Sequence, residues 1–198
     1  MSFSIDGKTA IVTGAANGIG LAVARHFTEC GANVMHADMD DASLLKELGP
    51  GTGDAKQKYF AGDLREKLTI ANLISATLDA YDRIDILVNA SRQVLASDFF
   101  DPEDKSVEIS LEQNVMTNLR LSQHVAKRMI KQSEGQNDGQ VGAIVNLSSI
   151  AARRSTSSLL GYSISSAALD QMTRSMAVTL APKRIRVNAV AIGSVMSA

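Results

Sequence analysis

The sequence predicts an α/β fold in which one doubly wound parallel sheet carries a single domain, residues 1–198. Three observations predict it. Short apolar runs alternate with helix-length segments along the chain. The runs are apolar throughout rather than alternately apolar and polar, as strands covered on both faces require. The first run is followed at once by glycines and then by helical sequence, and this order of strand, glycine turn and helix gives a glycine motif its meaning. At 198 residues the chain is long enough for one domain with a sizeable core.

The first strand is expected over Thr9–Thr13. Gly14, Gly18 and Gly20 follow, spaced T-G-x-x-x-G-x-G, and open a helix over Gly18–Cys30 that Gly31 stops. Gly14 permits a sharp turn and gives a phosphate access to bare backbone, while Gly18 and Gly20 let the helix start close to strand and ligand. The N–H groups of the first helical turn then face a pyrophosphate. A glycine-rich turn without a ligand is the alternative. Further strands are expected over Asn33–Ala37, Lys58–Ala61, Ile84–Asn89, Ala143–Leu147 and Ile185–Val190. Helices are expected over Ala42–Leu48, Lys67–Ala80, Ser106–Lys131 and Tyr162–Leu180. Ser133–Gln140 is a polar loop with two glycines, placed on the face away from the ligand because it joins a helix to the start of a strand.

Composition excludes several function classes. The net charge is −1 and no basic block stands out, which argues against a nucleic-acid partner. The one cysteine, Cys30, excludes an intramolecular disulfide and a multi-cysteine metal site, and fits a reducing compartment. No signal-peptide pattern or membrane-spanning apolar run is present, so a cytoplasmic location without a membrane partner is expected. Hydrolase chemistry lacks a G-x-S-x-G elbow, and His26, His36 and His124 have no triad context. No H-E-x-x-H or paired-carboxylate pattern points to a metal.

Four positions stand out as candidate chemistry. Asp38 ends the second strand, 18 residues after Gly20. A carboxylate there accepts hydrogen bonds from an adenosine ribose and repels a 2′-phosphate, which favours NAD over NADP. Asn17, in the glycine loop, offers no charge to a 2′-phosphate. The bland reading of Asp38 is a solvated acid in the run Asp38-Met39-Asp40-Asp41. Asp63, with Leu64, ends the third strand, where it could bind an adenine amino group or serve as an ordinary turn acid. Ser149 ends the fifth strand and Tyr162 opens the following helix. A tyrosine can act as general acid or base, but a free pKa near 10 is high for neutral pH, and a neighbouring cation is the direct remedy. Taken alone, such a serine and tyrosine are also ordinary hydrogen-bonded core or surface groups.

Together these residues resemble the short-chain dehydrogenase/reductase family, whose fold is Rossmann-like. Thr13-Gly14-Ala15-Ala16-Asn17-Gly18-Ile19-Gly20 is similar to the family's cofactor loop, Asp63-Leu64 to its adenine contact, and Asn89-Ala90 to the start of its N-A-G motif. Asn114 matches the helix asparagine of its catalytic tetrad, and Ser149 precedes Tyr162 by the family's 13 positions. Arg186-Val187-Asn188-Ala189-Val190 matches the sixth strand, and Gly193, Val195 and Ser197 fit the P-G-x-V-x-T segment after it, with Ser at the Thr position. The resemblance implies an oxidoreductase moving a hydride between NAD and a secondary alcohol or ketone, assembled as a homodimer or homotetramer. It implies that Tyr162 exchanges the proton, that Ser149 holds the substrate oxygen, and that Asn114 positions a water in a proton relay. The backbone near Gly193 to Ser197 would hold the nicotinamide carboxamide.

The chain departs from the pattern in three places. Ser166 stands where the family has the lysine of Y-x-x-x-K, so the ammonium beside the tyrosine is missing and impaired chemistry is expected. Arg153 and Arg154 follow Ser149 as substitutes, although a solvated loop is their expected place. Ser91 replaces the glycine of N-A-G, where a side chain could crowd the cofactor, and Ile192 replaces the proline of P-G. The third departure is at the C-terminus: the sequence stops at Ala198, before the family's substrate-covering segment and seventh strand, so β-edge exposure and an open pocket are expected. The alternative is a non-catalytic dinucleotide-binding or partner subunit, or a truncated form of an active enzyme.

Overall fold

A computed structural model describes residues 4–49 and 55–195. Six strands form one parallel sheet in the order β3-β2-β1-β4-β5-β6: β1 Thr9–Thr13, β2 Asn33–Asp38, β3 Gln57–Ala61, β4 Ile86–Asn89, β5 Gly142–Ser149 and β6 Ile185–Ile192. The helices are α1 Gly18–Glu29, α2 Asp41–Leu48, α3 Lys67–Tyr81, α4 Ser106–Leu111, α5 Thr117–Gln132 and α6 Leu160–Leu180. The Rossmann-like α/β fold expected from the sequence is thus present as one sheet flanked by helices. No described helix is long and apolar enough to cross a membrane.

The central strand explains the layering. All five residues of β1 are buried, and consecutive side chains point to opposite faces. Ile11 packs with Leu73 of α3 and Leu121 and Val125 of α5. Val12 packs on the other face with Ala24 of α1. Each face therefore needs its own helical layer, which is why the strand is apolar throughout.

Several bounds shift by one or two residues from expectation, and two differences bear on the site. β6 runs on to Ile192, paired with Ser149. Most of its length is exposed, including Val190. The expected continuous helix 106–131 is broken by a π-helical turn, Glu112–Met116. The Thr117 hydroxyl donates to the Glu112 carbonyl at 2.9 Å and Arg120 pairs with the Glu112 carboxylate, so polar side chains occupy the widened turn. Such turns insert one residue into a helix and re-aim its neighbours. Here the buried residue of the turn is Asn114.

Candidate active site

Between β1 and β4 the strand order reverses, and a crevice opens at their carboxyl ends. Its volume is 520 Å³, and Gly14, Gly18, Asp38, Asp63, Arg92 and Val195 are among its walls. Asn17, Ile19, Gly20, Leu64 and Ala90 line it as well. Gly14 has φ +66°, and a Cβ on it would stand 2.8 Å from the Ser91 backbone nitrogen, so only glycine lets β1 and the segment after β4 meet this closely. At Gly18, φ +54°, a Cβ would meet nothing within 4 Å, which leaves open space over the start of α1. Asn17 precedes α1 and makes no side-chain cap bond. The first-turn N–H groups of the helix are therefore left for an anion.

Asp38 closes this cradle. One carboxylate oxygen accepts from the Ala16 N–H at 3.1 Å, the other from the Asp40 N–H at 3.1 Å. Asp63 accepts a fork of hydrogen bonds from Arg65, the shortest 2.5 Å, and this pairing holds its carboxyl below the usual carboxylate range. Leu64 is buried against the core beside it.

The side chains of two residues expected at the cofactor also make hydrogen bonds within the protein's own framework. The Thr13 hydroxyl accepts from the N–H groups of Ala90, at 3.0 Å, and Ser91, at 3.1 Å, and reaches the Val88 carbonyl at 3.5 Å. The Asn89 amide donates to Ser122 Oγ at 3.0 Å and Asn146 Oδ1 at 2.8 Å, and the Asn146 amide donates onward to Thr173 at 2.8 Å. That network ties β4, β5, α5 and α6 together below the crevice. Ser91 lines the crevice, and its hydroxyl accepts from Gln113 Nε2 at 3.2 Å. Gly193 and Val195 follow β6 and are exposed. Ser197 lies outside the described residues.

Of the residues expected to carry chemistry, Asn114, Tyr162 and Ser166 line a second, small cavity that shares Arg92 and Leu147 with the crevice, whereas Ser149 lines neither. Ser149 is buried, and its Oγ accepts from the Ala151 N–H at 3.1 Å, which leaves the hydroxyl hydrogen to donate elsewhere. Tyr162 lies in the first turn of α6, 6% exposed. The Asn114 side chain is fully engaged: it accepts from the Gln93 N–H at 2.8 Å and donates to the Gln93 carbonyl at 2.9 Å and to Ser165 Oγ at 3.1 Å. Its carbonyl accepts from Asn118 at 2.9 Å. Ser166 Oγ donates to the Tyr162 carbonyl one turn back, at 2.7 Å.

The cation beside the tyrosine comes from an unexpected place. Arg153 and Arg154 are exposed, as a solvated loop implies. Arg92, from the segment after β4, donates Nη1–H to the Tyr162 hydroxyl oxygen at 2.9 Å. Seventy residues separate the two in sequence, and Arg92 belongs to no motif that would have drawn notice. Gln113 and Asn118 were missed in the same way. Their common signal is weak: polar residues flanking Asn89-Ala90 and Asn114.

The short chain dehydrogenase family matches residues 8–198. The uncharacterized oxidoreductase YhdF of Bacillus subtilis is 32% identical over 199 residues, covering 98% of this chain and 65% of the relative. A NAD-dependent glycerol dehydrogenase of Listeria innocua is 30% identical over 188 residues, covering 95% of this chain and 70% of the relative. This chain thus spans about two thirds of the length of these relatives. The crystal structure of a Caenorhabditis elegans short-chain dehydrogenase/reductase of unknown function, with cofactor, superposes with a TM-score of 0.85 at 30% identity, over 98% of this chain and 72% of that one. A crevice at the strand reversal, a glycine loop against it, and a family match running from Lys8 to Ala198 agree: the chain belongs to the short chain dehydrogenase family.

Proposed function

We propose that the protein is an oxidoreductase that moves a hydride between NAD and a secondary alcohol or ketone. The observation that carries this reading is the Asp38 carboxylate, held at the end of β2 by the Ala16 N–H of the glycine loop. A carboxylate so fixed accepts the adenosine ribose hydroxyls and repels a 2′-phosphate. The open space at Gly18 and the uncapped start of α1 fit the diphosphate of such a cofactor. The Listeria relative's NAD dependence supports the same choice.

When bound, the nicotinamide supplies the hydride acceptor or donor. The chain's own part is to orient the substrate and move one proton. Ser149 Oγ, with its hydrogen free, holds the substrate oxygen. In the oxidative direction Tyr162 Oη, deprotonated, takes the substrate hydroxyl proton as the carbon gives up its hydride. In the reductive direction it returns that proton to the carbonyl oxygen. Asn114 keeps the segment around Gln93 in place at this end of the crevice. We also propose that the protein works as a homodimer or homotetramer through α5 and α6, supported by the exposed apolar side chains of Met116, in the π-turn before α5, and Val178, on α6.

The test is calorimetry with NAD and NADP, followed by incubation with NAD and a panel of secondary alcohols. NAD should bind at least about tenfold more tightly than NADP, the equivalent of ~1.4 kcal/mol, and Asp38→Asn should shrink that ratio. Reduced cofactor should accumulate and Tyr162→Phe should stop it. No heat of binding with either dinucleotide would end this reading. The bond from Ser166 to the Tyr162 carbonyl favours a second reading, a non-catalytic dinucleotide-binding subunit; it requires NAD binding with no cofactor reduced on any alcohol.

A further inference from the structure

We propose that Arg92 is a positioning residue of the reaction, supplying from the segment after β4 the positive charge that residue 166 no longer supplies from α6. The inference rests on the oxidoreductase reading above, since it concerns the group that Tyr162 needs in order to exchange a proton.

Three observations carry it. The Arg92 guanidinium donates to the Tyr162 hydroxyl oxygen at 2.9 Å, and its central carbon stands 6.0 Å from the ring centroid. Arg92 therefore binds the reacting oxygen itself. A donor on that oxygen also turns the phenol's own hydrogen away from Arg92. A guanidinium keeps its charge at every working pH, and a charge-assisted hydrogen bond is stronger to a phenolate than to a phenol.

Second, no other group at that spot can do this. A cavity of 10 Å³, about the room of one water, lies beside the ring, walled by Asn118, Leu147, Ser166 and Leu169 together with Arg92 and Tyr162. Asn114 reaches it from the π-helical turn. From every element around it, the facing groups are neutral apart from Arg92, counted among the described residues. Ser166 has spent its only hydrogen on the Tyr162 carbonyl. No described carboxylate pairs with Arg92, so its charge is not already neutralised.

Third, Arg92 is held in place from both sides. The Ser91 N–H is bonded to Thr13 and the Ser91 hydroxyl to Gln113. The Gln93 N–H and carbonyl are both bonded to the Asn114 amide. A long side chain on a loop would ordinarily wander; this one starts from a backbone fixed at the residue before and the residue after. That is the preorganisation an electrostatic role needs.

The experiment compares wild type with Arg92→Met, Arg92→Lys, Arg92→Gln and the double variant Arg92→Met/Ser166→Lys. Calorimetry reads NAD binding, steady-state kinetics read kcat and KM across pH, and the ring-carbon NMR signal of Tyr162, assigned with Tyr162→Phe, is followed through a pH titration. With NAD saturating, Arg92→Met should lower kcat at neutral pH on the order of 100-fold, the usual effect of losing one preorganised donor. The activity lost should return as pH rises, and the Tyr162 signal should change at higher pH than in wild type. Arg92→Lys should keep part of the rate, and the double variant should recover most of it. Should Arg92→Met fail to fold, Arg92→Gln is read in its place. An unchanged kcat with an unchanged Tyr162 titration overturns the proposal, as does a loss confined to KM, which would make Arg92 a substrate holder. If the wild type reduces no cofactor on any alcohol, the oxidoreductase reading fails, while the NMR comparison still decides whether Arg92 acts on the tyrosine.

Discussion

Single residues bear the clearest consequences of this fold. His36 sits in β2 at 0% exposure with no hydrogen-bond partner on either ring nitrogen. Loss of hydration, the largest influence, pushes its pKa down to about 4, against 6.5 for the free side chain. In the folded protein His36 is neutral over a range where the unfolded chain takes up a proton. Stability from this group is therefore full above pH 6.5, falls as pH drops through the interval to 4, and is fully lost below it. The total is about 3 kcal/mol at ~1.4 kcal/mol per unit. Urea midpoints measured across that interval should show the decline, and His36→Leu should flatten it; a parallel decline in the variant would assign the effect elsewhere. Gly14 is the second case. Alanine there combines φ +66° with a Cβ 2.8 Å from backbone that cannot swing aside, so Gly14→Ala should cost about 1–3 kcal/mol and weaken NAD binding, both readable by thermal melting with and without the dinucleotide.

Elements hold the site by polar threads as much as by apolar packing. Asn146 accepts from Asn89 and donates to Thr173, linking β4, β5 and α6 where no water reaches. Removing it leaves the Asn89 amide one acceptor short in the interior, while the Thr173 hydroxyl keeps only its bond to the Leu169 carbonyl. Asn146→Ala should therefore cost about 2–3 kcal/mol and lower the denaturant midpoint without altering the dependence on denaturant concentration. The π-helical turn works in the same spirit. A regular helix from Ser106 to Gln132 would aim residue 114 differently. The widened turn turns the Asn114 amide onto the backbone of Gln93, next to Arg92.

Across the whole molecule, much of the architecture could be read from the residues. The strand at Thr9–Thr13 matched to the residue, because five apolar or small residues between lysine and glycine leave little choice. The alternation of runs and helices led to the right sheet. What could not be read was local geometry that depends on distant partners. The break at Glu112–Met116 carries no proline or glycine to mark it. The internal bonds of Thr13 and Asn89 were not legible because motif spacing names a position but not which way a hydroxyl or amide points. Arg92 was invisible for the plainest reason: its meaning lies in a contact 70 residues away. Residue 166 could be seen to lack a charge, but only the folded chain shows where a charge comes from.

The Thr13 hydroxyl, one oxygen shared among Val88, Ala90 and Ser91, sets a tolerance for everything above it. It acts as a rivet between two neighbouring strand tips, so the mouth that opens between them has a single width. Glycine loop and guanidinium stand on opposite lips of that mouth. The separation of those two lips is thus decided beneath the mouth, by one side chain bonded to the backbone on the far side of it.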